Sequence, residues 1–275
     1  MDNQNNKYPE QEETIDIKEL FFRFYRHWHY FVIAIIVALS IAFIIIRYSE
    51  SIYKVSATVL IRDESNTSMG AENLMEELEL FSRRTNLENE IGVLRSYNMI
   101  NNAILKLDFD VSYFSEGRIR SVQRYKDYPF RVELDSTSSQ LIGVRFYIKP
   151  LSNGKYQIKA KEDDIRVYDP VDNKVFGKKD EEVNIKETFN FYQSFKSENL
   201  AFTIYPQQVT NTHYKESDEF YFVINDLDKV VGNYRNKITI EPINRDASIL
   251  ALTVEGPVVE KEIDFINKLA EVYIK

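Results

Sequence analysis

The stretch Phe31–Ile46 reads FVIAIIVALSIAFIII, sixteen residues in which Ser40 carries the one polar side chain. No Asp, Glu, Lys or Arg stands between Arg26 and Arg47, a gap of twenty residues. At about 1.5 Å of rise per residue, a helix through that gap is ~30 Å long, the thickness of a bilayer's hydrocarbon core. Phe31, Ile36, Leu39, Phe43 and Ile46 are the candidate membrane-spanning core. Trp28 and Tyr30 at one end and Tyr48 at the other stand where an aromatic belt forms, and Arg26 and Arg47 mark the two interfaces. A core helix of a soluble protein fits poorly, because this run is apolar on every side and has no polar face for water. A cleaved signal peptide also fits poorly: a mostly acidic and polar leader of thirty residues precedes the run. Ser49 and Ser51 imitate a cleavage site only loosely. A single membrane anchor is the reading that remains.

The N-terminal side divides in two. Residues 1–13 are polar and acidic, a composition that cannot build a packed core. Asp16 and Glu19 have capping-box spacing, with Asp in place of the usual Ser or Thr. Ile17, Leu20, Phe21, Phe24 and Trp28 then fall on one helical face, with Lys18, Arg23 and Arg26 away from it. This spacing predicts an amphipathic helix on the membrane surface that runs into the spanning helix. The first turns of one long helix would satisfy the pattern equally well. Charges do not orient the anchor: Lys18, Arg23 and Arg26 on one side are matched by Arg47, Lys54 and Arg62 on the other.

The whole chain has 275 residues, 44% hydrophobic and 28% charged, which is ordinary globular composition. Only 8 Gly and 7 Pro argue against a linker-like or collagen-like chain, and 18 Tyr with 18 Phe suffice for a sizeable core. Net charge is −8, so the balance gives no sign of a nucleic-acid partner. There is no Cys, which excludes disulfides, thiol catalysis and Cys-based metal centres. The mean hydropathy of −0.38 looks soluble only because it averages over the apolar run.

Beyond the anchor, Tyr53, Val55, Ala57, Val59 and Ile61 alternate with Lys54, Ser56, Thr58 and Arg62, with Leu60 the apolar intruder, which predicts a strand buried on one face. Asp63–Gly70 reads as a polar loop and Ala71–Ser82 as an acidic helix. Asn86–Leu107 is helical with a bend where Ser96 caps a second segment. The stretch from Val111 to Tyr221 is β-rich, with strands at Phe130–Leu134, Val144–Lys149, Tyr156–Ala160, Ala201–Tyr205 and Glu219–Asn225. Ser152-Asn153-Gly154, Asp169-Pro170 and Asp172-Asn173 are turn signals. A short helix at Asp226–Tyr234, strands at Lys237–Pro242 and Ile249–Val254, and a helix from Gly256 to Lys275 follow. Pro257 suits the first helical turn, and the helical pattern is still running, uncapped, at Lys275, which reads as a cut through a longer protein.

Motifs for chemistry are missing from the sequence. Gly177-Lys178-Lys179 lacks the upstream Gly of a phosphate loop, and no G-x-S-x-G, H-E-x-x-H or G-x-G-x-x-G occurs. His27 and His29 fall at the membrane edge among headgroups, and His213 stands alone in a polar loop. Glu162-Asp163-Asp164 and Asp169–Asp172 lack the alternation and Gly of a calcium loop and read as solvated turns. Tyr192, Phe195, Tyr221 and Phe222 are of a kind that stacks on sugars, although aromatics in β-rich stretches are mostly core. No catalytic, cofactor-binding or metal-ligating residue is expected within these residues.

The arrangement as a whole resembles a known family. A helix at Ile15–Trp28 enters the spanning helix, and Tyr53–Ile61 (YKVSATVLI) follows directly. Asn89–Ser96 (NEIGVLRS) then leads into Ile100–Leu107, and Ile249–Val254, Pro257 and Asn267–Ile274 (NKLAEVYI) come near the end. This is similar to the Wzz chain-length determinants, the polysaccharide co-polymerases of bacterial surface-polysaccharide export. It looks closest to the N-terminal half of the Wzc-like members, in which a cytoplasmic tyrosine kinase follows a second membrane helix. The resemblance covers about residues 15–113 and 236–275 and rests on apolar and small polar patterning.

The resemblance implies an α+β fold and a single N-terminal span in the cell inner membrane. Residues 1–29 would be a cytoplasmic tail and juxtamembrane helix, 30–48 the transmembrane helix, and 49–275 a periplasmic base domain with a β-rich insertion at 115–235. It implies a homo-oligomer in membrane lipid that works with a polysaccharide polymerase and an outer-membrane export channel, with the polysaccharide itself a further candidate partner. The family's long helical extension, second membrane helix and kinase are not among these 275 residues. A tyrosine autokinase with its kinase beyond Lys275, or an extracytoplasmic sensor domain of a receptor, would share this layout.

Overall fold

The computed structural model describes residues 25–61, 87–117, 120–151, 154–207, 219–244 and 249–274, without the side chains of 179 and 180. The amphipathic helix expected from Ile15 (up to residue 24), the loop Asp63–Gly70, the helix Ala71–Ser82 and His213 lie outside the described residues. The fold is mixed helix and sheet, in two units, residues 1–49 and 50–275.

The first unit contains the helix α1 (Trp28–Tyr48), 21 residues long with no buried residue. Ser40 Oγ donates to the Ile36 carbonyl at 2.8 Å, so the one polar side chain of the apolar run is satisfied within the helix. Arg47 lies in the last turn, where a cation complements the negative end of the helix.

The second unit is built around two cores. The base sheet has the order β1 (Tyr53–Leu60), β13 (Ile249–Gly256), β12 (Thr239–Pro242), with both pairings antiparallel. Alternation aims Val59 and Ile61, then Leu250, Leu252 and Val254, to one face, and leaves Leu60, the intruder, 70% exposed on the other. Four helical segments bring their apolar sides to the buried face: α2 (87–94), α3 (Tyr97–Ile104), α4 (Leu227–Lys237) and α5 (Val259–Ile274). Ser96 accepts from Met99 N at 3.3 Å, so the expected bend is a break between α2 and α3 made by an N-cap. Tyr273 OH donates to Glu90 Oε2 at 2.7 Å and pins the end of α5 to α2.

At the start of α5, Glu262 is a carboxylate only 2% exposed. It hydrogen-bonds Tyr234 of α4 and lies against Gly256, the last residue of β13. A Cβ on Gly256 would fall 2.6 Å from Glu262 Cδ and 3.0 Å from its Cγ. The position is glycine because the side chain of α5 occupies the space.

The second core belongs to two facing sheets. One has the order β3 (Ser121–Arg124), β2 (Val111–Glu116), β11 (Glu219–Ile224), β6 (Arg145–Pro150), β7 (Lys155–Asp169), β5 (Gln140–Ile142), with β8 (Lys174–Asn190) paired to β7. The other is β4 (Phe130–Leu134), β10 (Leu200–Pro206), β9 (Ser194–Ser197). Phe202 of β10 stacks on Phe195 at 5.1 Å and meets Phe222 of β11 edge-on at 5.4 Å, which places aromatic rings at the centre of the sandwich.

The β-rich insertion was expected at 115–235. The sandwich strands run from Val111 to Ile224, and α4 contributes Val231 and Tyr234 to the base core instead. The strand expected at Tyr156–Ala160 extends to Asp169. Local alternation lapses at Lys161-Glu162-Asp163-Asp164, but β8 continues the pairing, with a bulge where Asp164 takes φ +58°. Glu162-Asp163-Asp164 is therefore strand and bulge and not a turn. Asp169–Asp172 does lie at the hairpin turn, where Asp169 Oδ1 accepts from Val171 N at 2.8 Å and Asn173 takes φ +51°.

Candidate functional site

The residues expected to meet lipid lie along α1. Ile36, Leu39, Phe43 and Ile46 are spaced three, four and three apart and share a face, while Phe31 lies on another side of the first turns. All five are exposed along the helix. Trp28 and Tyr30 stand in its first turn with Arg26 just before it, and Arg47 and Tyr48 end it. The helix is long and apolar enough to cross a membrane.

Of the aromatics singled out for sugar stacking, Phe195 and Phe222 are inside the sandwich core. Tyr221 is buried on the outer face, stacked on Phe114 at 4.8 Å. Tyr192 alone is open, at 68% exposure, and takes φ +68°.

The concave site is elsewhere, where the insertion leaves and re-enters the base. Asn225 closes this junction: its N donates to Asp110 O at 2.7 Å, and its Nδ2 donates to Phe109 O and Ser112 Oγ at 2.8 Å each. Asp226 caps α4 and pairs with Arg166 of β7 at 3.6 Å. Arg166 reaches it across Gly143, whose φ of +80° and absent side chain leave 2.8 Å between an added Cβ and the guanidinium. These ties bring α3, the start of α4, the β4–β5 loop and the turn end of the β7–β8 hairpin around a cleft of about 500 Å3.

The cleft wall mixes neutral polar groups with apolar ones. Asn101 and Leu105 come from α3, and Tyr168 and Asn173 from the hairpin, where Tyr168 OH donates to Asn173 Oδ1 at 2.9 Å. Leu134, Ile142 and Val175 form apolar patches between them.

The wall carboxylates are already engaged within the protein. Asp228 accepts from Tyr97 OH, a bond that raises the phenol's pKa. Asp135 accepts from Thr137 N at 2.9 Å and from Ser138 Oγ at 2.9 Å, and bonding at Thr137 is the main reason its pKa is lowered. Asp110 accepts from Val111 N at 3.1 Å, but burial dominates and raises its pKa.

Gln140 is 4% exposed, and its Nε2 donates to the carbonyls of Asp135 and Ala201 at 2.9 Å and of Ser138 at 3.3 Å. Three carbonyls fix the nitrogen's side of the amide, so the orientation of the oxygen follows. Gln140 Oε1 has no hydrogen-bond partner among the described residues. Among the described residues, no group of three or more His, Asp or Glu side chains is placed to hold a metal ion. The arrangement suits binding by hydrogen bonds and apolar contact. Sequence reasoning missed these residues. The one local signal was the turn around Asp169 and Asn173, read as solvent-exposed.

Residues 13–107 match the sequence model of the family described as Wzz, chain length determinant protein. A tyrosine-protein kinase ptk from Acinetobacter johnsonii is 31% identical over 100 residues, which is 36% of this chain and 13% of that protein. The chain thus spans about an eighth of that relative's length. The segment that matches the chain length determinant model runs from before α1 through β1 to the end of the α3 region.

Proposed function

We propose that the chain is an inner-membrane polysaccharide co-polymerase, which sets the chain length or export of a surface polysaccharide as an oligomeric scaffold without catalysis of its own. The observation that carries this reading is the chain length determinant match over residues 13–107, a segment that includes the membrane-type helix α1 and the first base strand. On this reading α1 anchors the chain, the N-terminal residues are cytoplasmic and the base and sandwich are periplasmic. Copies pack through their base domains, and the resulting assembly positions a polymerase and an outer-membrane export channel. Mechanism is then geometric: the rigid helix-on-sheet base, in which α5 is fixed to β1 and β13 by Phe265, Ile266 and Leu269, transmits the spacing between anchors. The test is deletion of the gene followed by gel analysis of the surface polysaccharide. A changed length distribution or amount is expected, and an unchanged one refutes the reading.

A second reading is favoured by the relative named as a tyrosine-protein kinase. There the same membrane and periplasmic parts would govern an autokinase domain encoded beyond Lys275. Sequencing the downstream reading frame for a second apolar span and a phosphate loop decides it.

A further inference from the structure

We propose that the junction cleft binds a short, neutral saccharide segment. This rests on the co-polymerase reading, which makes a glycan the molecule the chain meets, and adds where and how it is held. A volume of about 500 Å3 falls in the range of small-molecule sites (roughly 300–1,000 Å3) and is far too large for a single ion. A pyranose ring presents hydroxyls around its edge and C–H groups on its faces, so its site needs neutral hydrogen-bonding groups interleaved with apolar ones. Asn101, Tyr168 and Asn173 supply the first, and Leu105, Leu134 and Val175 the second.

Gln140, which lines the cleft, adds a buried acceptor, its Oε1, without a donor among the described residues. The amide cannot turn over without setting its oxygen against three carbonyls. Wall charge then selects among sugars. Asp226 is neutralised by Arg166 and by Lys229 at 3.6 Å, while Asp110, Asp135 and Asp228 bond to groups of the protein. The wall carries these four carboxylates and one Lys, Lys174. An acidic sugar would be repelled, and a metal or ammonium ion would have to displace existing partners.

The experiment uses the full chain in lipid nanodiscs and saturation-transfer NMR titration. The probes are oligosaccharides released by mild acid from the producing cell's own surface polysaccharide, with maltotriose and trigalacturonic acid as defined neutral and acidic comparisons. Leu105 is 59% exposed at the cleft wall, so Leu105→Arg obstructs the cleft without disturbing a core, and Asn101→Ala removes one polar contact. Circular dichroism confirms that both variants are folded. The cell-derived neutral fragments are expected to bind, with affinity at least tenfold weaker in Leu105→Arg, and trigalacturonic acid is expected to bind at least tenfold more weakly than maltotriose. Absence of binding, equal binding by wild type and both variants, or preference for trigalacturonic acid overturns the proposal. A deletion strain with altered polysaccharide length, together with no binding to the cleft, refutes this inference alone. An unchanged strain refutes the co-polymerase reading beneath it.

Discussion

The contact between Gly256 and Glu262 makes a quantitative prediction about how α5 is held on the base sheet. In Gly256→Ala the new Cβ meets Glu262 Cδ at 2.6 Å and Cγ at 3.0 Å, so the carboxylate side chain must leave its place. Glu262 is 2% exposed and bonded to Tyr234, and neither α5 nor β13 can move freely, because Phe265, Leu250 and Leu252 pack between them. Overpacking of this kind costs about 1–3 kcal/mol. Against this, Ala restricts the unfolded chain and returns ~0.4–1 kcal/mol, since Gly256 does not take a positive φ that an Ala would resist. A net loss of about 1 kcal/mol follows, which for a unit of this size lowers the Tm by roughly 2–4 °C.

The cause is one side chain, so the effect should disappear with it. In a Glu262→Ala background the space opposite Gly256 is empty, and Gly256→Ala should then be neutral or stabilising. The coupling between the two substitutions should reach about 2 kcal/mol, within the ~0.5–3 kcal/mol found for residues in contact. The assay is a four-member cycle of the full chain in detergent, unfolded thermally and in urea and followed by near-ultraviolet dichroism of the buried tyrosines. Equal destabilisation by Gly256→Ala in both backgrounds would refute the reasoning, because the strain would then lie in the backbone.

Other tests follow from the same packing. Burial raises the pKa of Glu262, so the folded state holds its proton more tightly than the unfolded state does, and its contribution to stability is lost as pH rises through the folded value. Glu262→Gln should therefore gain on wild type as pH rises from the ordinary glutamate value to the raised folded one and hold that gain above it, and a difference in urea midpoint that does not vary with pH would contradict this. Tyr156 OH is buried without a partner and its pKa is pushed up to about 12, so Tyr156→Phe should stabilise the chain by ~1 kcal/mol at pH 7 and flatten the loss of stability between about pH 10 and 12. Phe202→Ala should cost about 3–5 kcal/mol at the centre of the sandwich, whereas Tyr192→Ala at an open position should change the urea midpoint little. Leu39→Arg in the middle of α1 should raise the cost of insertion by ~3 kcal/mol, read as release of the chain by alkaline carbonate from membranes.

Local periodicity carried a good part of this fold. The apolar run, the cap at Ser96, the alternation of β1 and the helix begun at Asp226 are each set by neighbours within a few residues, and the structure has elements at these places. Pairing was not legible. Ser56 faces Thr253 across the ladder at 2.9 Å between hydroxyls, 197 residues away in the chain, and no window of sequence contains both. The short strands β3, β5 and β9 have three or four residues, too few to establish a period. Alternation marks only Tyr156–Ala160 of the fifteen residues of β7, because the charged stretch after it breaks the pattern, while in the fold the partner strand supplies what the sequence pattern lacks.

The cleft escaped sequence reasoning for a different reason. Its wall is drawn from α3, the β4–β5 loop, the hairpin turn and the entry to α4, and it exists because a sandwich inserted between Asp110 and Asn225 folds back on the base that carries it. Each wall residue has a local reason to be where it is: Asp226 caps a helix, Asp135 closes a turn, and Asn173 makes a hairpin bend. Read singly, these residues are structural punctuation. Their convergence adds one thing no local role explains, the Gln140 oxygen left without a donor inside an otherwise satisfied network. Asp135, Ser138 and Ala201 all draw on the amide nitrogen and hold that oxygen in place. A turn needing only closure could have used a residue without a second polar atom to bury. The retained acceptor is thus a buried polar group at the cleft wall that packing among the described residues leaves without a donor.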